Sequence, residues 1–165
     1  MKQRYRDQVS LLLRVLPELT KENCFALHGG TAINLFIRDM PRLSVDIDLT
    51  YIPIADRATS LQNIQEALGR IKGYVAAAIK NIKITDNISS DAAKLFFSLN
   101  GVQIKLEVNL IKRGALFAPV IMGLCKKAQE EFDSFCEMQI VSFGELYGGK
   151  ICAALDRQHP GTCLM

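Results

Sequence analysis

The chain has 165 residues, 49% of them hydrophobic and 22% charged, and a formal net charge of +3. That balance fits one ordinary globular domain, since domains cluster at roughly 100–150 residues, and it excludes a disordered chain. The mild basicity does not by itself require nucleic acid, but it suits substrates that carry phosphates.

Five cysteines (Cys24, Cys125, Cys136, Cys152 and Cys163) are odd in number and lack CxxC spacing. They read as reduced thiols rather than a thiolate metal site. Met1 to Asp7 holds no apolar signal core, and no apolar run reaches the ~18 residues of a membrane span. A cytoplasmic protein with no membrane partner is expected.

In chain order, Val9, Leu12, Leu13, Leu16 and Leu19 follow helical spacing and predict an amphipathic helix over residues 6–19. Cys24 to His28 reads as a short buried strand that runs into Gly29-Gly30. Thr31 to Asp39 reads as a helix stopped by Pro41. Val45 to Ile52 alternates, with Val45, Ile47, Leu49 and Tyr51 on one face and Asp46, Asp48 and Thr50 on the other. Steps of three and four from Leu61 to Ile79 predict a long helix over 57–81, with Thr59 and Gln62 as a capping box.

Lys94 to Asn100 and Gln103 to Ile111 read as strands joined by Asn100-Gly101, a strong hairpin signal. Between 113 and 141 the pattern is weaker. Phe117 to Leu124, Phe132 to Phe135 and Met138 to Val141 suggest short strands or turns. Ser142 with Glu145 forms a second capping box, which opens a helix from Phe143 to about Arg157.

Three features bear on chemistry. A strand, Gly29-Gly30-Thr31 and a helix start allow close approach of backbone N–H groups to a phosphate; the plain alternative is a tight turn. Asp46-Ile-Asp48 on a strand puts two carboxylates on one face, spaced to share a divalent cation. The plain alternative is a solvated strand face. Glu107, flanked by Lys105 and Asn109, is either an exposed charge paired with Lys105 or a third carboxylate of the metal site that takes a proton from an attacking hydroxyl. Together they suit metal-assisted phosphoryl or nucleotidyl transfer.

His28-Gly-Gly-Thr31, Asn34-Leu35 and Arg42-x-Ser44-x-Asp-Ile-Asp-Leu49 together resemble the signature of AbiEii/AbiGii proteins. These are nucleotidyltransferase-like toxins of type IV toxin–antitoxin and abortive-infection systems, within the DNA polymerase β-type superfamily. Leu146-Tyr-Gly-Gly-Lys150-x-x-Ala153-Ala-Leu155-x-Arg157 resembles that group's later helix motif. The resemblance implies an α+β nucleotidyltransferase fold, with a mixed central sheet flanked by helices in a single domain. It implies that Gly29, Gly30 and Thr31 cradle the triphosphate of an NTP. Asp46 and Asp48, with Glu107 as a third ligand, would hold Mg²⁺ or Mn²⁺, and Lys150 would reach a nucleotide phosphate. Arg42 and Ser44 would support the Asp46–Asp48 turn or the nucleotide. Without the family, Lys150 reads as a solvated helix lysine.

The resemblance further implies transfer of a nucleoside monophosphate to tRNA, another RNA or a protein, and a cognate antitoxin as partner. Arg70, Lys72, Lys80, Lys83, Lys112, Arg113, Lys126 and Lys127 are candidates to meet RNA phosphates, or simply a solubilising surface. A small-molecule nucleotidyltransferase of the antibiotic-modifying kind shares the same core.

Members of that group continue after His-Pro with Arg-Asp-Leu-x-Asp and more helix, whereas this chain reads His159-Pro160-Gly-Thr-Cys-Leu-Met165. Pro-Arg-Asp-Leu-Phe-Asp written CCG CGG GAC CTG TTT GAT G becomes CCG GGG ACC TGT TTG ATG on loss of one C, which encodes Pro160 to Met165. A frameshifted, truncated copy is therefore expected, with a bared apolar surface able to drive dimerisation. An inactive remnant that binds nucleotide or antitoxin without turnover is the alternative it raises.

Overall fold

The computed structural model describes residues 3–157. The frameshift expectation, at Pro160 to Met165, lies outside them. So does Cys163.

The amphipathic pattern near the start forms α1 (Gln3–Leu19), which buries Val9, Leu12, Leu13, Leu16 and Leu19. The apolar run after it forms β1 (Phe25–His28). Its chain turns at once into α2 (Gly29–Ala32) and a wider π-helical turn, Ile33–Ile37. The helix expected over Thr31 to Asp39 therefore begins two residues earlier and ends at Ile37, where Arg38 is already extended. Met40, at φ 50°, then reverses the chain ahead of Pro41.

β2 (Asp46–Tyr51) alternates as expected: Ile47, Leu49 and Tyr51 are buried, while Asp48 and Thr50 are half-buried and Asp46 is exposed. α3 (Arg57–Ala78) buries Ile64, Leu68, Ile71 and Val75. The expected Thr59–Gln62 capping box does not form. Asp56 caps the helix instead, accepting from the Thr59 N–H at 2.9 Å and the Thr59 hydroxyl at 2.6 Å. Gln62 reaches forward to Glu66 at 3.1 Å.

β3 (Lys83–Ile88) has no counterpart among the expected strands, because it is a polar sheet edge whose pairing with β4 (Ala93–Leu99) defines it. β4 and β5 (Val102–Arg113) form the expected hairpin. Asn100 at φ 51° and Gly101 at φ 80° supply the left-handed pair that a two-residue turn needs.

β6 (Val120–Gly123) falls in the expected Phe117–Leu124 stretch, and β7 (Glu137–Ile140) matches the expected strand at Met138 to Val141. Between them lies a short helix that the pattern did not reveal, α4 (Lys126–Phe132), ended by Asp133 in the left-handed conformation. The expected strand or turn over Phe132 to Phe135 is thus a helix end. α5 (Phe143–Arg157) opens on the expected cap, with the Glu145 N–H donating to Ser142 Oγ at 3.3 Å.

The seven strands form one mixed sheet in the order β3-β4-β5-β2-β1-β7-β6. β1 runs parallel to β7 and β2 parallel to β5, while the other neighbours are antiparallel. α1 and α3 pack on each other and on β5 from one side, closing the core around Leu49, Leu106 and Phe97. The other side of β1, β2, β5 and β4 carries polar residues. No helix among the described residues is long and apolar enough to cross a membrane.

Candidate active site

Strand periodicity chooses the polar face, and sheet register assembles it. His28 on β1 pairs with Asp48 on β2, Asp48 with Glu107 on β5, and Glu107 with Lys94 on β4. One row across four strands therefore reads His28, Asp48, Glu107, Lys94. The neighbouring row places Asp46 beside Lys105.

The glycine turn is built against this row. Gly29 has φ +76°, and a Cβ there meets Asp48 Oδ2 at 2.6 Å. Only glycine lets the turn lie against the carboxylate. At Gly30 a Cβ meets Ser44 Oγ at 3.2 Å. Asn34, nearly fully buried, donates its amide to the Gly30 carbonyl at 2.8 Å and holds the turn from behind.

Thr31 is 0% exposed. Its hydroxyl contacts Ser44 Oγ at 2.9 Å and the Asp46 carbonyl. Its side chain therefore fixes the approach to β2 and is not free to touch a triphosphate. What the turn offers a phosphate is backbone, since the first N–H groups of a helix have no partner within it. Ser44 likewise acts inside this clasp. Arg42 is exposed and makes no ion pair among the described residues.

Burial, and then the nearby Asp46 charge, raise the Asp48 pKa above the usual carboxylate range. Two carboxylates on one strand face thus repel each other, a condition that a bound cation relieves. Glu107 behaves differently. Burial pushes its pKa up, but ion pairs to Lys105 at 3.1 Å and Lys94 at 3.3 Å outweigh that and hold it below the ordinary value. Glu107 is paired with Lys105, as the plain alternative expected, and its strand position is beside Asp48.

No group of three His, Cys, Asp or Glu side chains among the described residues is arranged to hold a metal ion together. The expected three-carboxylate set of Asp46, Asp48 and Glu107 is not assembled among the described residues, and the Glu107 carboxylate is ion-paired with Lys94 and Lys105. The donor set still fits Mg²⁺ or Mn²⁺. Mg²⁺ is commonly bound through one or two carboxylates, with waters and substrate phosphates filling its other positions. Asp46 and Asp48 supply that pair.

Beside the row lies a cleft of about 320 Å³ bounded by His28, Asp48, Glu107, Asn109 and the Asp91–Ala93 turn. Burial, opposed by the Leu49 carbonyl, lowers the His28 pKa below the usual histidine range. His28 thus faces the cleft as a neutral imidazole at neutral pH.

The sequence profile described as "Nucleotidyl transferase AbiEii toxin, Type IV TA system" matches residues 10–161. The chain belongs to the AbiEii nucleotidyltransferase toxin family. Comparison with curated protein sequences finds no match. Among solved structures, the chain is similar to MenT4, a nucleotidyltransferase toxin from Mycobacterium tuberculosis H37Rv. The TM-score is 0.66 at 12% identity, covering 91% of this chain and 53% of that one. At this identity the likeness concerns the fold, and the chain spans about half the length of that toxin.

Within this AbiEii chain the later helix motif lies on α5. Lys150 is exposed there and makes no hydrogen bond or ion pair among the described residues. Lys112, at the end of β5, lies nearer the row: a Cβ on Gly149 stands 3.4 Å from its Nζ, and its charge adds to the lowering of the His28 pKa. Of the basic residues named as candidates to meet RNA or as a solubilising surface, Arg70 pairs with Glu22, Lys72 with Asp86 and Lys126 with Glu130. Arg113 has Nε and Nη1 buried without a partner. These four do not make a free basic band.

His28 and Asn109 join the site although neither had been assigned a role. His28 stood in the glycine motif and Asn109 two residues past Glu107, but only the sheet register brings them to one cleft.

Proposed function

We propose that this AbiEii chain transfers a nucleoside monophosphate from an NTP to an RNA acceptor, tRNA among them, with Mg²⁺ or Mn²⁺ held by Asp46 and Asp48. The observation that carries the proposal is the Asp48 carboxylate seated against the Gly29-Gly30 turn. It supports the reading because a carboxylate proposed to hold the metal lies against a turn proposed to bind phosphate. Asp46 and Asp48 would hold the metal, which would supply neutralisation of charge that develops during transfer.

The protein's own groups do the rest. Backbone N–H groups of the glycine turn bind phosphate. Thr31, Ser44 and Asn34 keep that turn and β2 in register. Glu107, released from Lys105 or Lys94, takes the proton of the acceptor hydroxyl as its oxygen bonds to the α-phosphorus and the bond to the leaving pyrophosphate breaks. Lys150 and Arg42 are proposed to meet the triphosphate from α5 and from the loop before β2. A cognate antitoxin is the proposed protein partner.

A second reading rests on Glu107. With two lysines on its carboxylate, the site binds metal and nucleotide without turning over.

Labelled NTPs, Mg²⁺ and total tRNA, incubated with the protein and with an Asp46→Ala/Asp48→Ala variant, test both. Label on RNA that is lost in the variant supports transfer. Metal-dependent nucleotide binding without transfer supports the second reading. Label on protein in place of RNA moves the acceptor class, and absence of binding overturns the site.

A further inference from the structure

The pairing of β2 with β5 breaks just past the carboxylate row. Thr50 pairs with Asn109, but the next residue, Tyr51, pairs with Arg113. Leu110, Ile111 and Lys112 therefore bulge from β5 with no counterpart on β2, and Ile111 is 89% exposed. Bulges of this kind re-aim side chains beside functional sites.

Asn109 holds the bulge together. Its Oδ1 accepts the N–H groups of Ile111 and Lys112, both at 2.9 Å. Two N–H donors fix which end of the amide is oxygen. The Nδ2 end therefore points away from the bulge. It donates to nothing among the described residues, and Asn109 lines the cleft with His28, Asp48 and Glu107. An amide with two unused donors thus belongs to a residue lining a cleft that His28, Asp48, Glu107 and Asp91 also line.

From this geometry we infer that Asn109 binds a ribose hydroxyl of the incoming nucleotide through Nδ2. The inference rests on the proposed nucleotidyl transfer and adds a specificity-determining residue to it. Asn109 lies two strand residues beyond Glu107, about 6.6 Å along the strand. With the reacting phosphate at the carboxylates, the ribose is the next unit of the nucleotide past it, and its hydroxyls can accept from an amide N–H. The cleft volume of about 320 Å³ is at the lower end of small-molecule sites and accepts a nucleoside.

Asn109→Ser is the informative variant. Its short hydroxyl can still accept the N–H groups of the bulge, and the amide donor is gone. Overall affinity can shift for every nucleotide, so the quantity to read is a ratio. Affinities for Mg²⁺-complexed ATP, GTP, CTP and UTP are measured by calorimetry beside those of their 2′-deoxy and 3′-deoxy counterparts.

The wild-type chain is expected to prefer one hydroxyl-bearing series by about 3- to 10-fold, the worth of one hydrogen bond. In Asn109→Ser and Asn109→Ala that preference is expected to fall to about 1. An unchanged preference in Asn109→Ser, or none in the wild type, overturns the inference while leaving nucleotide binding intact. Loss of label transfer to tRNA at an unchanged nucleotide preference also overturns it, and gives the cleft to the acceptor. A wild-type chain that binds no Mg²⁺-complexed NTP overturns the proposed function as well.

Discussion

Position 29 shows how one atom's space decides a site. A methyl group there sits 2.6 Å from Asp48 Oδ2, on a backbone with φ +76°. Gly29→Ala is expected to lower stability by about 1–3 kcal/mol through backbone strain alone. Displacement of Asp48 should weaken metal binding in addition. Urea denaturation read beside a Mn²⁺ titration checks both.

Asp48 itself carries the opposite balance. Its raised pKa means that its charged form is disfavoured in the folded protein. The cost to stability is full above the folded-state pKa and fades as pH falls through it. Without metal, Asp48→Asn is therefore expected to melt at a higher temperature than the parent at neutral pH, the gap closing in acid. An equal or lower melting temperature at neutral pH would contradict this. The Asp46 and Asp48 pair was legible in the sequence because a strand's period of two is local. His28 and Asn109 were not, because their nearness to Asp48 depends on which strands pair and where β5 bulges.

At the scale of elements, segments with a clear apolar pattern read well and the more polar ones did not. α1, β2 and the β4–β5 hairpin follow from apolar spacing and from Asn100-Gly101. β3 was hidden because its outer residues face solvent, and α4 because it buries Ala128 alone among its side chains. The start of α3 was legible only in part, since Asp56 rather than Thr59 provides the cap.

That cap should be visible as a pH effect. The Thr59 hydroxyl and N–H hold the Asp56 carboxyl below the usual carboxylate range. Its contribution is present above the unfolded-state pKa and lost as pH falls through the lower folded-state value. Asp56→Ala should lower the melting temperature at pH 7, and the difference should shrink toward strongly acidic pH. Asp56→Asn, which still caps, should lose much less at pH 7.

At the scale of the molecule, α1 and α3 pack on one side of the sheet and leave the other for chemistry. β1, β2 and β5 lie side by side at the sheet's centre, so one row carries His28, Asp48 and Glu107. α5 adds little to the core: Leu146 is buried, while Phe143, Tyr147, Ile151 and Leu155 lie exposed at intervals of four residues. The fold shared with MenT4 covers 91% of this chain and 53% of that toxin, so the sheet and its helices form a unit about half that toxin's length.

Whether that unit holds a metal-bound nucleotide is decided most directly by calorimetric titration of NTP into the protein with and without Mg²⁺, beside Asp46→Asn/Asp48→Asn. The expected result is nucleotide binding that requires Mg²⁺ and falls at least about 10-fold in the double variant. Binding that is indifferent to Mg²⁺, or equal in the two proteins, would contradict the assignment of Asp46 and Asp48 as the metal-holding pair.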